Sequence, residues 1–243
     1  MRTITGAAAA ACIAIAFAGA FLAENALHVP DHTRSPLLYA QAFARQAGAG
    51  ISAEEAQAIA PGGVRLAGWL FTPAHPNGAA AIVLHGIGDT RTGVLGQARF
   101  LLAAGYAVLT PDSRGHGASG GELTTYGVRE AADIHAWADL LMSRPGIERL
   151  YGLGQSMGAA ILIESLAREP RFRALAADCP FATFEEIAGD RLAQHGSPGR
   201  LISWPLIEFG MVYARIRYGV DLRRASPEDA LRRSRTPVLL IHG

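Results

Sequence analysis

The residues best suited to chemistry lie at positions 154–158, Gly-Gln-Ser-Met-Gly, between an apolar run and a helix-forming run. A serine flanked by glycines at this spacing, after a strand and before a helix, predicts the sharp turn called a nucleophile elbow. The turn is too tight for any but small residues at Gly154 and Gly158. We expect the Ser156 hydroxyl to stand above the end of the sheet, with the backbone N–H of Met157 pointing to where negative charge would develop on an attacked carbonyl oxygen.

A second glycine-rich segment, His-Gly-Ile-Gly-Asp at residues 85–89, follows another apolar run. Gly86 and Gly88 would let the backbone curl beyond the strand. The N–H of Ile87 would then face the same point as that of Met157 and complete an oxyanion hole. His85 stands beside this turn, and we interpret it as the partner in a structural hydrogen bond rather than as a catalytic base.

A third segment, residues 111–121, reads Pro-Asp-Ser-Arg-Gly-His-Gly-Ala-Ser-Gly-Gly. Asp112 and Arg114 are expected to form an ion pair that braces this loop. The glycines on both sides of His116 favour a role in packing and turn geometry over a role as the catalytic histidine.

Elements that would position these segments alternate along the chain. Short runs that are apolar on both faces are typical of central parallel strands, and runs with helical spacing lie between them. The predicted strands are 64–71, 79–84, 107–109, 150–154, 174–177 and 237–241, and the predicted helices are 95–104, 128–143 and 157–168. This alternation predicts an α/β fold, a doubly wound and mostly parallel sheet with its chemistry at the carboxyl ends of the strands.

The chain divides into three predicted parts. Residues 1–23 are a signal peptide or membrane anchor: Arg2 precedes an uninterrupted apolar stretch, and both alternatives put the globular part outside the cytoplasm. Residues 24–50 would be a stalk ending in a short helix near 37–47. Residues 51–243 would be one domain, in which the segment 181–225, here called the cap, interrupts the alternation. The cap is either a helix pair on the sheet edge or a cover over the site.

The three glycine-rich segments, in this order, resemble the α/β-hydrolase superfamily, and most of all the bacterial serine aminopeptidase-like and esterase-like hydrolases. The resemblance covers about residues 60–243. It implies that Ser156 is the nucleophile and that the amides of Ile87 and Met157 form the oxyanion hole. The resemblance also implies a serine hydrolase that cleaves a small-molecule ester, thioester or amide through an acyl-enzyme, with esterase the first expectation and peptidase the second.

In that family the acid follows an Ile-His-Gly like the one at residues 241–243, and the histidine follows one further strand. We therefore expect this sequence to be truncated, without the acid and base of its triad, and to have little activity on its own. Asp178 is an alternative acid after the strand 174–177. His85, His116 and His195 are poor replacements for the base.

Composition excludes several other functions. All 22 basic residues are arginine, which removes P-loop and Schiff-base chemistry, and the net charge of +1 does not favour a nucleic-acid partner. The histidines have no carboxylate or cysteine partners at metal-ligand spacing, and we expect neither a metal nor a cofactor. Cys12 and Cys179 would be left without an internal disulfide.

Two alternatives stay open. Glycines at 152, 154 and 158 with Asp178 downstream also resemble a dinucleotide-binding turn, which would make the protein a nicotinamide-dependent oxidoreductase. A membrane-tethered hydrolase fold without catalysis is the other. Its partner would still be the membrane, through the N-terminal segment.

Overall fold

A seven-stranded, mostly parallel sheet forms the centre of the protein. The computed structural model describes residues 2–29, 35–194 and 200–242. For residues 2–9 and 200–202 it describes the backbone only. The strand order is β1-β2-β4-β3-β5-β6-β7; β2 is antiparallel to β1 and β4, and the strands from β4 to β7 are parallel. The strands are β1 (Ser52–Ala60), β2 (Val64–Thr72), β3 (Ala79–Leu84), β4 (Ala107–Pro111), β5 (Arg149–Gln155), β6 (Phe172–Asp178) and β7 (Val238–Ile241). The predicted doubly wound α/β sheet is confirmed.

Helices pack on both faces of this sheet and over its carboxyl end. They are α1 (Arg2–Leu27), α2 (Leu37–Ala47), α3 (Leu95–Ala103), α4 (Glu130–Met142), α5 (Met157–Ser165), α6 (Phe184–Gln194), α7 (Arg200–Tyr218) and α8 (Pro227–Arg233). The cap segment contains α6, α7 and a 3-10 turn at Leu222–Arg224. His195 lies outside the described residues.

The alternation of side chains along β3 explains why its sequence is apolar throughout. Ala80, Ile82 and Leu84 belong to the hydrophobic core on one face, with α4 and α5. Ala81 and Val83 belong to the core on the other face, with α2 and α3. Because successive residues of a strand point to opposite faces, a strand buried on both faces has no position for a polar residue.

The first strand, β1, was not predicted. It pairs antiparallel with β2 from Ser52 opposite Thr72 to Ala60 opposite Val64, and a turn at 61–63 joins the two strands. The buried positions of β1 are the small residues Ala56, Ala58 and Ala60, so its buried face gives only a weak hydrophobic signal. Its position at the sheet edge allows the polar residues to face solvent.

Helix α1 is packed against the domain at its C-terminal end. Leu27 is fully buried in the core, its carbonyl accepts a hydrogen bond from Thr124 N at 2.8 Å, and the Tyr126 hydroxyl donates to Ala26 O at 3.0 Å. The segment Ala10–Leu27 of α1 has a mean hydropathy of 1.8 and is long and apolar enough to cross a membrane. The predicted boundaries of an anchor at residue 23 and a stalk at residue 50 stay predictions.

Candidate active site

Ser156 occupies the turn between β5 and α5 in a strained backbone conformation. Its φ of 51° and ψ of −115° are unusual for a residue with a side chain. The reason is crowding. A Cβ on Gly154 would lie 2.4 Å from Ala159 N, and one on Gly158 would lie 2.6 Å from the carbonyl oxygens of Leu84 and His85. The two glycines are therefore required for the strand and helix to approach this closely.

Backbone hydrogen bonds hold the turn on both sides. The N–H of Ser156 donates to Asp178 O on the neighbouring strand β6 at 2.7 Å, and the carbonyl of Ser156 accepts from Ala160 N at 3.1 Å. Ser156 is half-buried, and α5 begins directly after it. Its side chain thus stands at the N-terminus of a helix, where the helix dipole favours negative charge.

The loop after β3 lies beside this serine. A Cβ built on Gly86 would be 3.5 Å from the Cβ of Ser156. Gly88 has a φ of 74°, and Asp89 N donates to Gly86 O at 3.3 Å, so the chain turns back sharply here. Ile87 lines the same cavity as Ser156 and Met157, and the structure thereby brings the three residues of the expected nucleophile and oxyanion hole together.

His85 connects two loops rather than facing the serine. Its Nε2 accepts a hydrogen bond from Ser113 N at 3.0 Å, so its Nδ1 carries the proton and donates to Gly86 O at 2.8 Å. Burial, aided by the nearby His116 ring 5.0 Å away between centroids, lowers the pKa of His85 to about 4. A neutral imidazole with both nitrogens engaged positions the loop and is unsuited to act as a base.

The expected ion pair between Asp112 and Arg114 is wrong. Asp112 instead pairs with Arg91, at 3.2 Å between Oδ2 and Nε, and also accepts from the backbone N–H groups of Arg91 and Ala118 at 2.8 Å each. Arg114 makes a two-pronged contact with Asp133 on α4, at 2.8 and 2.5 Å. The loop of residues 111–121 is therefore braced by two separate buried pairs, each with a partner outside it.

A cavity of about 480 Å³ opens beside Ser156, within the size range of small-molecule sites. Its walls come from the ends of the strands, from α6 and α7 of the cap, and from α1. Most of the lining side chains are apolar. The polar ones are Ser156, Tyr126, Asn25 and Arg191. Two features of the cavity wall were not predicted: Tyr126, whose φ of 55° turns the chain there, and the contribution of α1.

Within the described residues, no histidine lines this cavity, and none is hydrogen-bonded to the Ser156 hydroxyl. His116 is buried in its loop, where Nδ1 lies 3.1 Å from Arg114 O. Among those same residues we find no group of histidines, cysteines and carboxylates that could hold a metal ion.

The dinucleotide-binding alternative gains no support from the positions of its residues. Gly152 lies inside β5, paired with Ile82 and Leu175, and not in a turn. Asp178 ends β6, where its carbonyl holds the Ser156 N–H.

Comparison with known proteins agrees with this geometry. Residues 75–194 match the model of a hydrolase family described as serine aminopeptidase, S33, and the matched range contains the three glycine-rich segments. Over this range the chain is similar to the α/β hydrolases. Its sheet and flanking helices form the α/β-hydrolase fold, with the apolar N-terminal helix in addition.

Three known proteins illustrate the extent of the similarity. The uncharacterized protein YqkD of Bacillus subtilis (strain 168) is 33% identical over 183 residues, which are 74% of this chain and 59% of YqkD. The structure of the Pyrococcus furiosus esterase PF2001 superposes with a TM-score of 0.64 at 20% identity, covering 90% of this chain and 88% of the esterase. The structure of the α/β hydrolase GrgF from Penicillium sp. sh18 superposes with a TM-score of 0.53 at 19% identity, covering 78% of this chain and 79% of GrgF.

Proposed function

We propose that the protein is a serine hydrolase that cleaves an ester, thioester or amide of a small molecule through an acyl-enzyme on Ser156. One observation carries this proposal: the strained serine at the N-terminus of α5 shares an apolar cavity with Ile87 and Met157. Strain of this kind persists where the surrounding structure enforces it, and active sites are where it is commonly found.

The proposed reaction begins with attack of the Ser156 oxygen on the substrate carbonyl carbon. The carbonyl oxygen becomes an oxyanion that accepts hydrogen bonds from the N–H groups of Ile87 and Met157. A base must take the serine proton and return it to the leaving group, and water then hydrolyses the acyl-enzyme. No histidine of the described residues lines the cavity, so we propose that Ser156 reacts slowly in the absence of an added base.

An ester is the favoured substrate. The cavity walls offer apolar surface for an acyl chain and few polar groups for a peptide backbone, which suits esterase chemistry better than peptidase chemistry. The similarity in fold to the Pyrococcus furiosus esterase is consistent with this choice. With α1 as signal or anchor, we propose that the globular part works outside the cytoplasm, at a membrane.

A fluorophosphonate probe tests the proposal, with mass spectrometry to locate the label. We expect slow labelling of Ser156 in the 243-residue chain, none in Ser156→Ala, and faster labelling when imidazole is added as an external base. Failure of imidazole to promote any labelling at Ser156 would refute its role as nucleophile. Rapid stoichiometric labelling without imidazole would refute the proposal that Ser156 reacts slowly without an added base.

A second candidate is a non-catalytic protein that binds an apolar molecule in the same cavity. The observation that favours it is the Ser156 hydroxyl, which has no histidine partner in the described part of the chain. The imidazole experiment separates the two candidates, because a serine that only lines a binding cavity would not react faster with added base.

A further inference from the structure

Helix α1 forms one wall of the cavity beside Ser156. Gly19, Leu22 and Ala26 line it from this side, and Ile207 and Met211 of α7 line it as well. At a rise of 1.5 Å per residue, the lining part of α1 from Gly19 to Ala26 runs for about 10 Å. The helix that the sequence marks as signal or anchor is thus part of the binding cavity.

Small residues allow α1 and α7 to approach closely. A Cβ on Gly19 would lie 2.8 Å from Leu206 O, and one on Gly210 would lie 3.0 Å from Gly19 O. Ala23 and Ala214, each four residues further along its helix, are also buried. Small residues at this spacing are the usual way for helices to pair within membranes.

Hydrogen bonds fix the pair in place. Oε1 of Glu24 on α1 accepts from the hydroxyls of Tyr213 and Tyr218 at 2.5 and 2.7 Å. The ring of His28 contacts Tyr218 edge-on, with 5.7 Å between centroids. Together with the buried Leu27, these contacts hold the C-terminal half of α1 against the domain.

The outer faces of both helices are apolar and uncovered. On α1 the exposed side chains Ile13, Phe17 and Phe21 follow one another at intervals of four residues, and on α7 Val212 and Ile216 do the same. Ile216 is 81% exposed. Rows of large exposed apolar side chains on two packed helices indicate a contact with a partner or a membrane.

Charge favours a lipid bilayer as the partner. Arg215 and Arg217 are exposed on α7 on either side of the exposed Ile216. Basic residues beside an apolar surface are attracted to anionic lipid headgroups. The same face is continuous with α1, whose composition already suits a membrane.

We propose that the cavity between α1 and α7 binds the long acyl chain of a lipid ester, and that the outer face of α7 lies in the bilayer from which this lipid comes. The inference rests on the proposed function for the cleavage step, but binding of the chain does not require it. It also requires that α1 remain attached in the working protein.

Fatty-acid binding tests the cavity. Purified full chain in detergent is titrated with cis-parinaric acid, a fluorescent C18 fatty acid, which is then displaced with octanoate or palmitate. Leu22→Trp, which fills the cavity, should weaken palmitate binding at least tenfold and octanoate binding less than threefold, because each excluded methylene costs about fourfold in affinity. Phe21→Trp, the matched change on the exposed face, should alter neither by more than twofold. Equal weakening by the two variants, or no saturable binding, would overturn the proposal.

Tryptophan fluorescence tests the bilayer contact. Of the three tryptophans, Trp69 and Trp137 are buried, and Trp204 on α7 is 60% exposed. In vesicles of phosphatidylcholine and phosphatidylglycerol with brominated acyl chains, emission should be quenched in the unmodified protein and unquenched in Trp204→Phe. Because α1 contains no tryptophan, the signal reports α7 alone. Full emission from Trp204 in these vesicles would overturn the contact.

The two levels of the proposal fail in different ways. Ser156→Ala should still bind palmitate, since the acyl cavity needs no nucleophile. If palmitate binds as expected and the fluorophosphonate never reacts, the proposed function fails and the acyl site remains. If Ser156 reacts but Leu22→Trp leaves palmitate binding unchanged, the acyl site fails and the hydrolase remains.

Discussion

Replacing Glu164 by glutamine should stabilise the protein at neutral pH. Glu164 lies on α5, and its carboxyl group packs against the backbone of Gly127 so closely that a Cβ there would overlap its Oε2. In the described part of the chain, its Oε1 is buried and has no hydrogen-bond partner. Burial, together with the nearby Glu130, raises the pKa of Glu164 from 4.5 to about 9.

The magnitude follows from the proton balance. Between pH 4.5 and 9 the folded protein keeps a proton on Glu164 that the unfolded chain has lost, so stability is greatest below pH 4.5 and decreases as pH rises. Each pH unit costs about 1.4 kcal/mol. Glutamine does not titrate, and therefore the stability of Glu164→Gln relative to the unmodified protein should increase by about 2.5 kcal/mol between pH 5 and pH 7.

Urea unfolding at the two pH values, followed by circular dichroism in detergent, measures this difference. Glu130→Gln is the matched control, because Glu130 accepts hydrogen bonds from Thr125 N, Thr125 Oγ1 and Gly127 N at 2.6 to 2.8 Å. Losing this charged acceptor should destabilise the protein by about 1–3 kcal/mol. If Glu164→Gln has the same effect at both pH values, or becomes relatively less stable as pH rises, the reasoning is wrong.

Two further predictions concern the frame of the site. Gly158→Ala should destabilise the protein by about 3 kcal/mol, because the new Cβ would meet two backbone carbonyls. The control Gly96→Ala, with open space around it in α3, should stabilise the protein by about 0.5–1 kcal/mol. Thermal unfolding of both variants measures these changes, and no loss of stability in Gly158→Ala would contradict the prediction. Arg114→Met should lower the free energy of unfolding by about 3–5 kcal/mol, because it leaves Asp133 charged and buried. Arg232→Met removes an arginine from an exposed ion pair and should lower it by about 0.5 kcal/mol or less. Similar losses in the two arginine variants by urea unfolding would contradict the buried-pair argument.

The parts of the fold that depend on local chemistry were predictable from the sequence. The strands β3 and β5 are apolar on both faces over short lengths, and the turn at Ser156 is prepared by Gly154 and Gly158. In each case the determinant lies within a few residues of the feature that it produces. The same is true of the sharp turn at Gly88.

The features that were not predicted correctly depend on partners distant in the sequence. Asp112 was expected to pair with Arg114, two residues away, but its partner Arg91 comes from the preceding loop, which the sheet order brings alongside. The wall formed by α1 depends on Gly19 meeting Gly210, about 190 residues later. A pattern of small residues was present in both helices, but nothing local indicated that they face each other.

The conformation of Ser156 also determines which residue type is most stable at this position. A side chain held at a φ of 51° costs roughly 1–3 kcal/mol, and glycine would bear almost none of that cost. Ser156→Gly should accordingly unfold at a higher temperature than Ser156→Ala, although both lack the hydroxyl. Serine at this position therefore costs stability that glycine would not cost, and under the proposed function that cost accompanies the reactive hydroxyl.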